Sequence, residues 1–271
     1  MGGKMVYFVA TPIGNLKDIT LRALEVLRSV DVIYCEDTRH SMVLLNAYDI
    51  KKPLKACHKF NEKEAAEKII DDAAQGRAVA VISDAGMPVI SDPGNIVCGE
   101  LKKAGVEYTV IPGANAALSA LILSGLPCDK FIFLGFLPDK AGARKELLNK
   151  FKTVQSTLVF HVAPQDIAPH ICSIYEVFGN RKACAVREIT KLHEEAIPFM
   201  LADGFEGENR GEFVFVVEGA KEEENPLCKL SEKEHILHYM SGGMSKKDAV
   251  KQAAKDRGVP KSELYGYSID L

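Results

Sequence analysis

The stretch Val79-Ala-Val-Ile-Ser-Asp-Ala-Gly-Met-Pro-Val-Ile-Ser-Asp-Pro-Gly94 decides how the chain reads. It opens within an apolar run, Ala78 to Ile82, bounded by polar residues, which is the pattern of a strand buried on both faces. Ser83-Asp84-Ala85-Gly86 stands at the carboxyl end of that strand. Ser91-Asp92-Pro93 then reads as a helix start, with Asp92 as N-cap and Pro93 at the first helical position. In an open parallel sheet, ligands sit just outside the carboxyl ends of the strands. Gly86 lets the main chain approach a ligand there, and Asp84 offers a carboxylate. The plain alternative is a turn that only folds.

On both sides of this stretch, strands and helices alternate. Met5 to Ala10 reads as the first strand, and Thr20 caps a helix with Leu21, Leu24, Leu27 and Val30 at helical spacing. Asp31 to Cys35 reads as a second strand and delivers Glu36-Asp-Thr-Arg39 at its end. A helix from Asn61, with Glu64 as capping-box partner, closes at Gly76. The central strand, a helix from Pro93 to about Ala104 and a strand from Glu107 to Ile111 follow. Pro112-Gly-Ala-Asn-Ala116 then opens a small apolar helix ending at Gly125. The fold class is therefore α/β, with a mostly parallel sheet in an N-terminal domain, 1–125.

A second α/β domain, 126–222, is expected to carry a mixed sheet. Its strands are Phe131 to Phe136, Ser156 to Val162, Lys182 to Arg187 and Phe213 to Val217, and its helices are Ala141 to Phe151 and Pro164 to Gly179. The charged stretch Lys221 to Pro226 reads as a linker to a basic helical module, 228–271. Helix-like runs there cover Glu232 to Met240, Ser245 to Arg257 and Pro260 to Tyr267. Short turns and a lysine-rich face resemble a helix-turn-helix; the alternative is a solvated cap with surface lysines.

The totals narrow the function. The 271 residues suit two compact domains plus an appendage, and 47% hydrophobic with 26% charged residues is the balance of a soluble globular protein. A net charge of -3 gives no global attraction to nucleic acid, so RNA binding would need local patches. Seven cysteines without a CxxC point to reduced thiols in a cytoplasm, not to a disulfide framework or a zinc site. No apolar run reaches membrane-spanning length, and the start has no signal-peptide layout. GxGxxG after the first strand, GxxxxGK[ST], HExxH and GxSxG are all missing, which removes the common dehydrogenase and hydrolase readings.

Thr11-Pro-Ile-Gly-Asn-Leu-Lys-Asp-Ile-Thr20, Glu36-Asp-Thr-Arg39, Ser83-Asp-Ala-Gly-Met-Pro88, Ser91-Asp-Pro-Gly94, Ile111-Pro-Gly113 and Gly135-Phe-Leu-Pro138 form a specific set. Together with Arg187-Glu-Ile-Thr-Lys191 and the Gly211 to Gly219 segment, they resemble the ribosomal RNA small subunit methyltransferase I family. That family has the tetrapyrrole-methylase fold of S-adenosylmethionine (SAM) methyltransferases. The resemblance covers nearly the whole chain. It implies a homodimer binding SAM, with no metal, between two α/β domains, and methylation of a cytidine ribose 2′-hydroxyl in the decoding region of small-subunit rRNA. The acceptor would be the rRNA or the assembled small subunit.

Carried onto this sequence, cofactor contacts fall at Ile13, Ser83, Asp84, Gly86, Met87, Pro112, Gly113, Asn115, Ala116 and Val162. A 2′-hydroxyl is a poor nucleophile and calls for a base or a cation. The candidates are Glu36, Asp37 and Arg39, then His58, Asn61, Glu62, Glu188 and Lys191. A helix cap or ion pair is the alternative for Glu36-Asp37-Arg39, and a buried hydrogen-bonded histidine for His58. Expected phosphate contacts are Arg144 and Lys145 on one helix, and Lys246, Lys247 and Lys251 in the tail. The sequence departs from the family at Met87, at Pro112-Gly-Ala-Asn115 and at Phe160-His-Val-Ala-Pro164. Two further readings stand beside the first: a tetrapyrrole methyltransferase of the same fold, and a non-catalytic RNA- or ribosome-binding paralogue.

Overall fold

Five short apolar runs build the first sheet. In the computed structural model, which describes residues 5–221 and 226–268, they are β1 (Val6–Val9), β2 (Val32–Cys35), β3 (Leu54–Ala56), β4 (Val79–Ile82) and β5 (Tyr108–Ile111). All pair in parallel, in the order β3-β2-β4-β1-β5. The strand read from the opening stretch is therefore central, and all four of its residues are buried. Alternation sends Val9, Ile33, Ala80 and Ile82 to one face, under Leu24 and Leu27 of α1 (Leu21–Ser29) and Leu45 of α2 (Thr38–Ala47). Val6, Phe8, Val32, Tyr34 and Val81 go to the other, under α3 (Glu62–Ala74) and α4 (Asn95–Lys103).

The second sheet comprises β6 (Phe131–Phe136), β7 (Thr157–Val162), β8 (Lys182–Arg187), β9 (Glu195–Met200) and β10 (Phe213–Val217), in the order β6-β7-β10-β8-β9. Only β6 and β7 run parallel, so the sheet is mixed. One face packs on α5 (Ala116–Leu123), whose Ala117, Ala120 and Leu121 meet Val159, Cys184, Val186, Val214 and Val216. The other packs Phe160, Phe213 and Phe215 under Leu148 of α6 (Ala141–Asn149) and Ile171 and Ile174 of α7 (Ile167–Phe178).

Several local expectations are corrected. α4 starts at Asn95 rather than Pro93, and Asp92 is not its cap. Val89 (φ 77), Ser91 (φ 67) and Gly94 (φ 132) keep the chain out of helical space until that point. Asn61 precedes α3, but its carboxamide oxygen accepts the His58 amide at 2.7 Å instead of capping the helix, and Glu64 pairs with Lys68 at 2.6 Å. α2, β3 and β9 add to the elements read from the sequence. β3 has three residues, α2 buries only Ser41, Leu44 and Leu45, and β9 is an edge strand that tolerates Pro198.

The chain divides into units 1–220 and 221–271. In the second, α8 (Glu232–Ser241), α9 (Lys246–Arg257) and α10 (Lys261–Tyr265) enclose Ile236, Ala249, Val250, Ala253 and Leu264. Ser231 and Glu234 close a capping box on α8. Most of the stretch read as a linker, 222–225, lies outside the described residues. No helix among the described residues is long and apolar enough to cross a membrane.

A buried charge network ties the first sheet to α3. The Asp72 carboxylate, 2% exposed, accepts Tyr34 Oη and Lys55 Nζ, each at 2.8 Å, and pairs with Arg77. Burial opposes its ionisation, but the bonds from Lys55 and Tyr34 win and hold it below the usual carboxylate range. Asp72→Ala removes the carboxylate that Tyr34, Lys55 and Arg77 share and is expected to lower unfolding free energy by about 2 kcal/mol, measured by urea denaturation. Because the folded value is depressed, the wild type keeps this advantage above the unfolded carboxylate range and loses it as pH falls toward the folded value.

Candidate active site

Loops at the carboxyl ends of the first sheet meet the second sheet and enclose a cavity of about 360 Å³. The first-sheet side supplies Ile13, Gly86, Met87, Asn115 and Ala116; the second supplies Phe133, Phe136, His161, Val162 and Glu212. The loops are locked to each other through the backbone. The Thr11 amide donates to the Gly86 carbonyl at 2.9 Å, and the Gly86 amide donates back at 3.1 Å. Gly14 lies so close to the 189–191 turn that a Cβ there would stand 2.6 Å from Lys191 Cγ. Absence of a side chain at Gly14 thus lets the loop after β1 reach the loop after β8.

The residues expected to hold a cofactor separate into two groups. Ile13, Gly86, Met87, Asn115, Ala116 and Val162 line the cavity, whereas Ser83, Asp84, Pro112 and Gly113 do not. The Ser83 hydroxyl is turned to the Gly86 carbonyl at 3.2 Å, and Asp84 Oδ1 accepts the Asp37 amide at 3.2 Å. Gly113 packs on Ala10, where a Cβ would come within 2.8 Å of the Ala10 Cβ, and Pro112 is exposed. Asn115 is a wall residue that also caps α5, its oxygen accepting the Leu118 amide at 3.0 Å.

The proton-transfer candidates are dispersed in the same way. Asp37 caps α2 through the Arg39 amide at 2.8 Å and pairs with the Arg39 guanidinium at 2.8 Å. Those bonds pull its carboxyl down to about 2, so it stays ionised. Glu62 accepts the Ile96 amide at 3.0 Å in the first turn of α4. Glu188 (φ 49) accepts the Glu212 amide and Lys191 Nζ, each at 3.0 Å, and Lys191 also reaches Glu212 at 3.0 Å. His58 has a buried Nδ1 with no hydrogen-bond partner among the described residues, and its ring centroid lies 6.3 Å from that of Phe60. Asn61 is occupied by the His58 amide.

Glu36 stands apart. Burial raises its carboxyl above the ordinary range, and the nearby Asp84 charge adds to the rise. The same pair acts on Asp92, which lines the cavity. Burial first, then Glu36, raise it to about 6, with the Ser83 hydroxyl opposing and Asp84 adding. Sequence reading missed Asp92 as a site residue because Ser-Asp-Pro also fits a helix start. In the sequence His161 stands out only as a departure from the family pattern, yet it faces the cavity, and burial lowers its imidazole so that it is neutral near pH 7.

Arg144 requires a correction. It is 4% exposed, and its guanidinium donates to Ser173 Oγ and to the carbonyls of Pro138, Asp139 and Pro169. A surface phosphate contact is incompatible with that burial. Lys145 pairs with Glu176 on α7. In the helical unit Lys247 and Lys251 are exposed and Lys246 is half-buried.

A family described as Tetrapyrrole (Corrin/Porphyrin) Methylases matches residues 5–204. The chain is 41% identical over 268 residues to a ribosomal RNA small subunit methyltransferase I from Halalkalibacterium halodurans, spanning 96% of this chain and 93% of that protein. Its counterpart of the same name from Bacillus subtilis is 42% identical over 270 residues, with 96% and 92% covered. Among solved structures, a uroporphyrin-III C-methyl transferase from Thermus thermophilus complexed with S-adenyl homocysteine aligns with a TM-score of 0.56 at 20% identity, covering 78% of this chain and 96% of that one. That likeness carries the fold alone.

Asp92 provides a measurable signature of the acidic cluster. Its folded value lies above its unfolded one, so the folded state is penalised increasingly as pH rises from about 4 through 6. Asp92→Asn is expected to raise stability at about pH 8 by up to about 2 kcal/mol, with no gain below about pH 4. Urea denaturation across that range checks it. A variant less stable than wild type at pH 8 would show that ionised Asp92 is favoured where it stands.

Proposed function

We propose a function from this premise: the chain belongs to the ribosomal RNA small subunit methyltransferase I family. It is a SAM-dependent methyltransferase, and its acceptor is the RNA of the small ribosomal subunit. The finer reading places the methyl group on the 2′-hydroxyl of a cytidine in the decoding region. The observation that carries the reading is the 41% identity to a protein of that name across both halves and the tail. Tetrapyrrole methyltransferases share the fold at much lower identity, so the alternative acceptor has no comparable support.

The cavity has the size and chemistry to take the cofactor. Its volume lies in the range of small-molecule sites, its walls are largely apolar, and the Asp92 carboxylate suits a cationic ligand. When bound, SAM supplies an electrophilic methyl on a sulfonium. Ile13, Ala116, Ala117, Val162 and Val214 exclude water and hold the ligand against the Ala85-Gly86-Met87 backbone. Ser83 and Asp84 support that loop from behind. Orientation of the hydroxyl toward the methyl supplies much of the acceleration. The Glu36-Asp84-Asp92 cluster is the proposed acceptor of the hydroxyl proton, because a carboxyl near 6 is largely ionised at neutral pH and still holds a proton better than an ordinary aspartate.

In this proposal the cofactor lies between domains 1–125 and 126–222, and the 228–271 module grips RNA in the cytoplasm. Lys247, Lys251 and Lys255 follow one another at four-residue spacing along α9, all exposed, and form one stripe. The protein acts as a homodimer, a state that sedimentation measures directly.

Three outcomes are expected. Labelled SAM with small subunits from cells lacking this protein should place label on one ribose, located by nuclease mapping. Ala116→Leu, which fills the cavity with three further carbons, should weaken SAM by roughly tenfold or more. Replacing Lys247, Lys251 and Lys255 together by alanine should flatten the salt dependence of RNA binding by up to about three units of slope.

A further inference from the structure

The Gly135-Phe-Leu-Pro138 segment carries part of the family resemblance and lends Phe136 to the cavity wall, and the function proposed above gives it no task. β6 and β7 lose register between Phe133 and Phe136, and Gly135 there adopts φ +61, a left-handed conformation that favours glycine. Such an irregularity re-aims the following side chain. It puts Phe136 on the rim of the cavity with 61% of its surface exposed.

The ring is held from behind. The His161 ring centroid stands 5.2 Å from that of Phe136 at an interplanar angle of 37°, and Phe133 braces His161 edge-on at 5.1 Å. The chain just beyond is fixed by Arg144, which donates to the Pro138 carbonyl at 3.0 Å and the Asp139 carbonyl at 2.9 Å. A large aromatic face kept rigid yet open gains little from burial within this chain. It is the geometry of a surface that receives another flat ring.

Position identifies which ring. Ile13, Ala117, Val162 and Val214 form the closed interior of the cavity, while Phe136, Ile90 and Ser91 are exposed at its open side. A small cofactor fits the interior, whereas an RNA acceptor can approach only from the open side. Unstacked RNA bases are bound by aromatic faces of this kind.

We propose that Phe136, backed by His161, is the shelf on which the base of the acceptor nucleotide stacks once it is turned out of its strand. This rests on the methyltransferase reading given above. Stacking tolerates every base, so the shelf contributes affinity and orientation, while choice of base lies elsewhere.

The test compares wild type with Phe136→Ala, Phe136→Leu and Phe136→Tyr. Steady-state methylation of unmodified small subunits gives KM and kcat, and calorimetry gives the SAM Kd. Both the alanine and leucine variants should lose roughly tenfold or more in kcat/KM for subunits, with the tyrosine variant within about threefold of wild type and the SAM Kd unchanged throughout. The leucine variant keeps apolar bulk without a π face, so wild-type behaviour there would reduce the shelf to an apolar contact and overturn the proposal. Loss of SAM affinity in the alanine variant would move the ring to the cofactor's seat and overturn it too. An active wild type with an indifferent alanine variant contradicts the shelf alone, whereas a wild type that binds SAM and methylates no subunit contradicts the functional reading itself.

Discussion

Packing of α5 against the second sheet fixes the relation of the two halves. Ala117, Ala120 and Leu121 of this helix sit on Val159, Cys184, Val186, Val214 and Val216, so a helix that follows the first sheet is a core element of the second. The alanines allow the close approach; a larger residue at Ala120 would push the sheets apart. Capping by Asn115 sets where the helix begins, and so brings Asn115 and Ala116 to the cavity opposite His161 and Val162. Gly14 makes a second seam, against Lys191. The cavity exists because these contacts hold the two sheets at one distance.

Two groups of acids in the first half show how partners decide protonation. Asp72 is the more buried, yet Lys55, Tyr34 and Arg77 keep it ionised, and it ties a helix to a sheet. Glu36, Asp84 and Asp92 gather at the crevice, where burial and mutual repulsion raise Glu36 and Asp92. Assembling like charges in a partly dry place costs folding stability, and of the three Asp92 is the one that lines the cavity. Structural carboxylates nearby behave in the opposite way, as Asp37 on Arg39 and Glu188 on Lys191 do.

Much of the architecture was legible because burial imposes simple patterns. The apolar run Ala78 to Ile82 became the central strand, and Thr20 accepts the Ala23 amide as an N-cap should. The mixed second sheet followed from its longer β-loops, and a basic three-helix unit from its short turns and lysine-rich face. Ser91-Asp92-Pro93 was misleading because two non-glycine residues with positive φ, Val89 and Ser91, hold the loop away from the helix, and a sequence does not display such strain. Arg144 read as a surface cation in a basic helix; only tertiary structure shows carbonyls of Pro138, Asp139 and Pro169 converging on it. The pairing of His161 with Phe136 was hidden too, because it depends on a register change between neighbouring strands.

A single cofactor seat built jointly by the two sheets is most directly examined by hydrogen–deuterium exchange with and without S-adenosylhomocysteine. Exchange should slow together in 85–87 and 115–117 of the first half and in 161–164 and 211–214 of the second. Slowing confined to one half, or none at saturating ligand, would contradict a shared seat between the sheets.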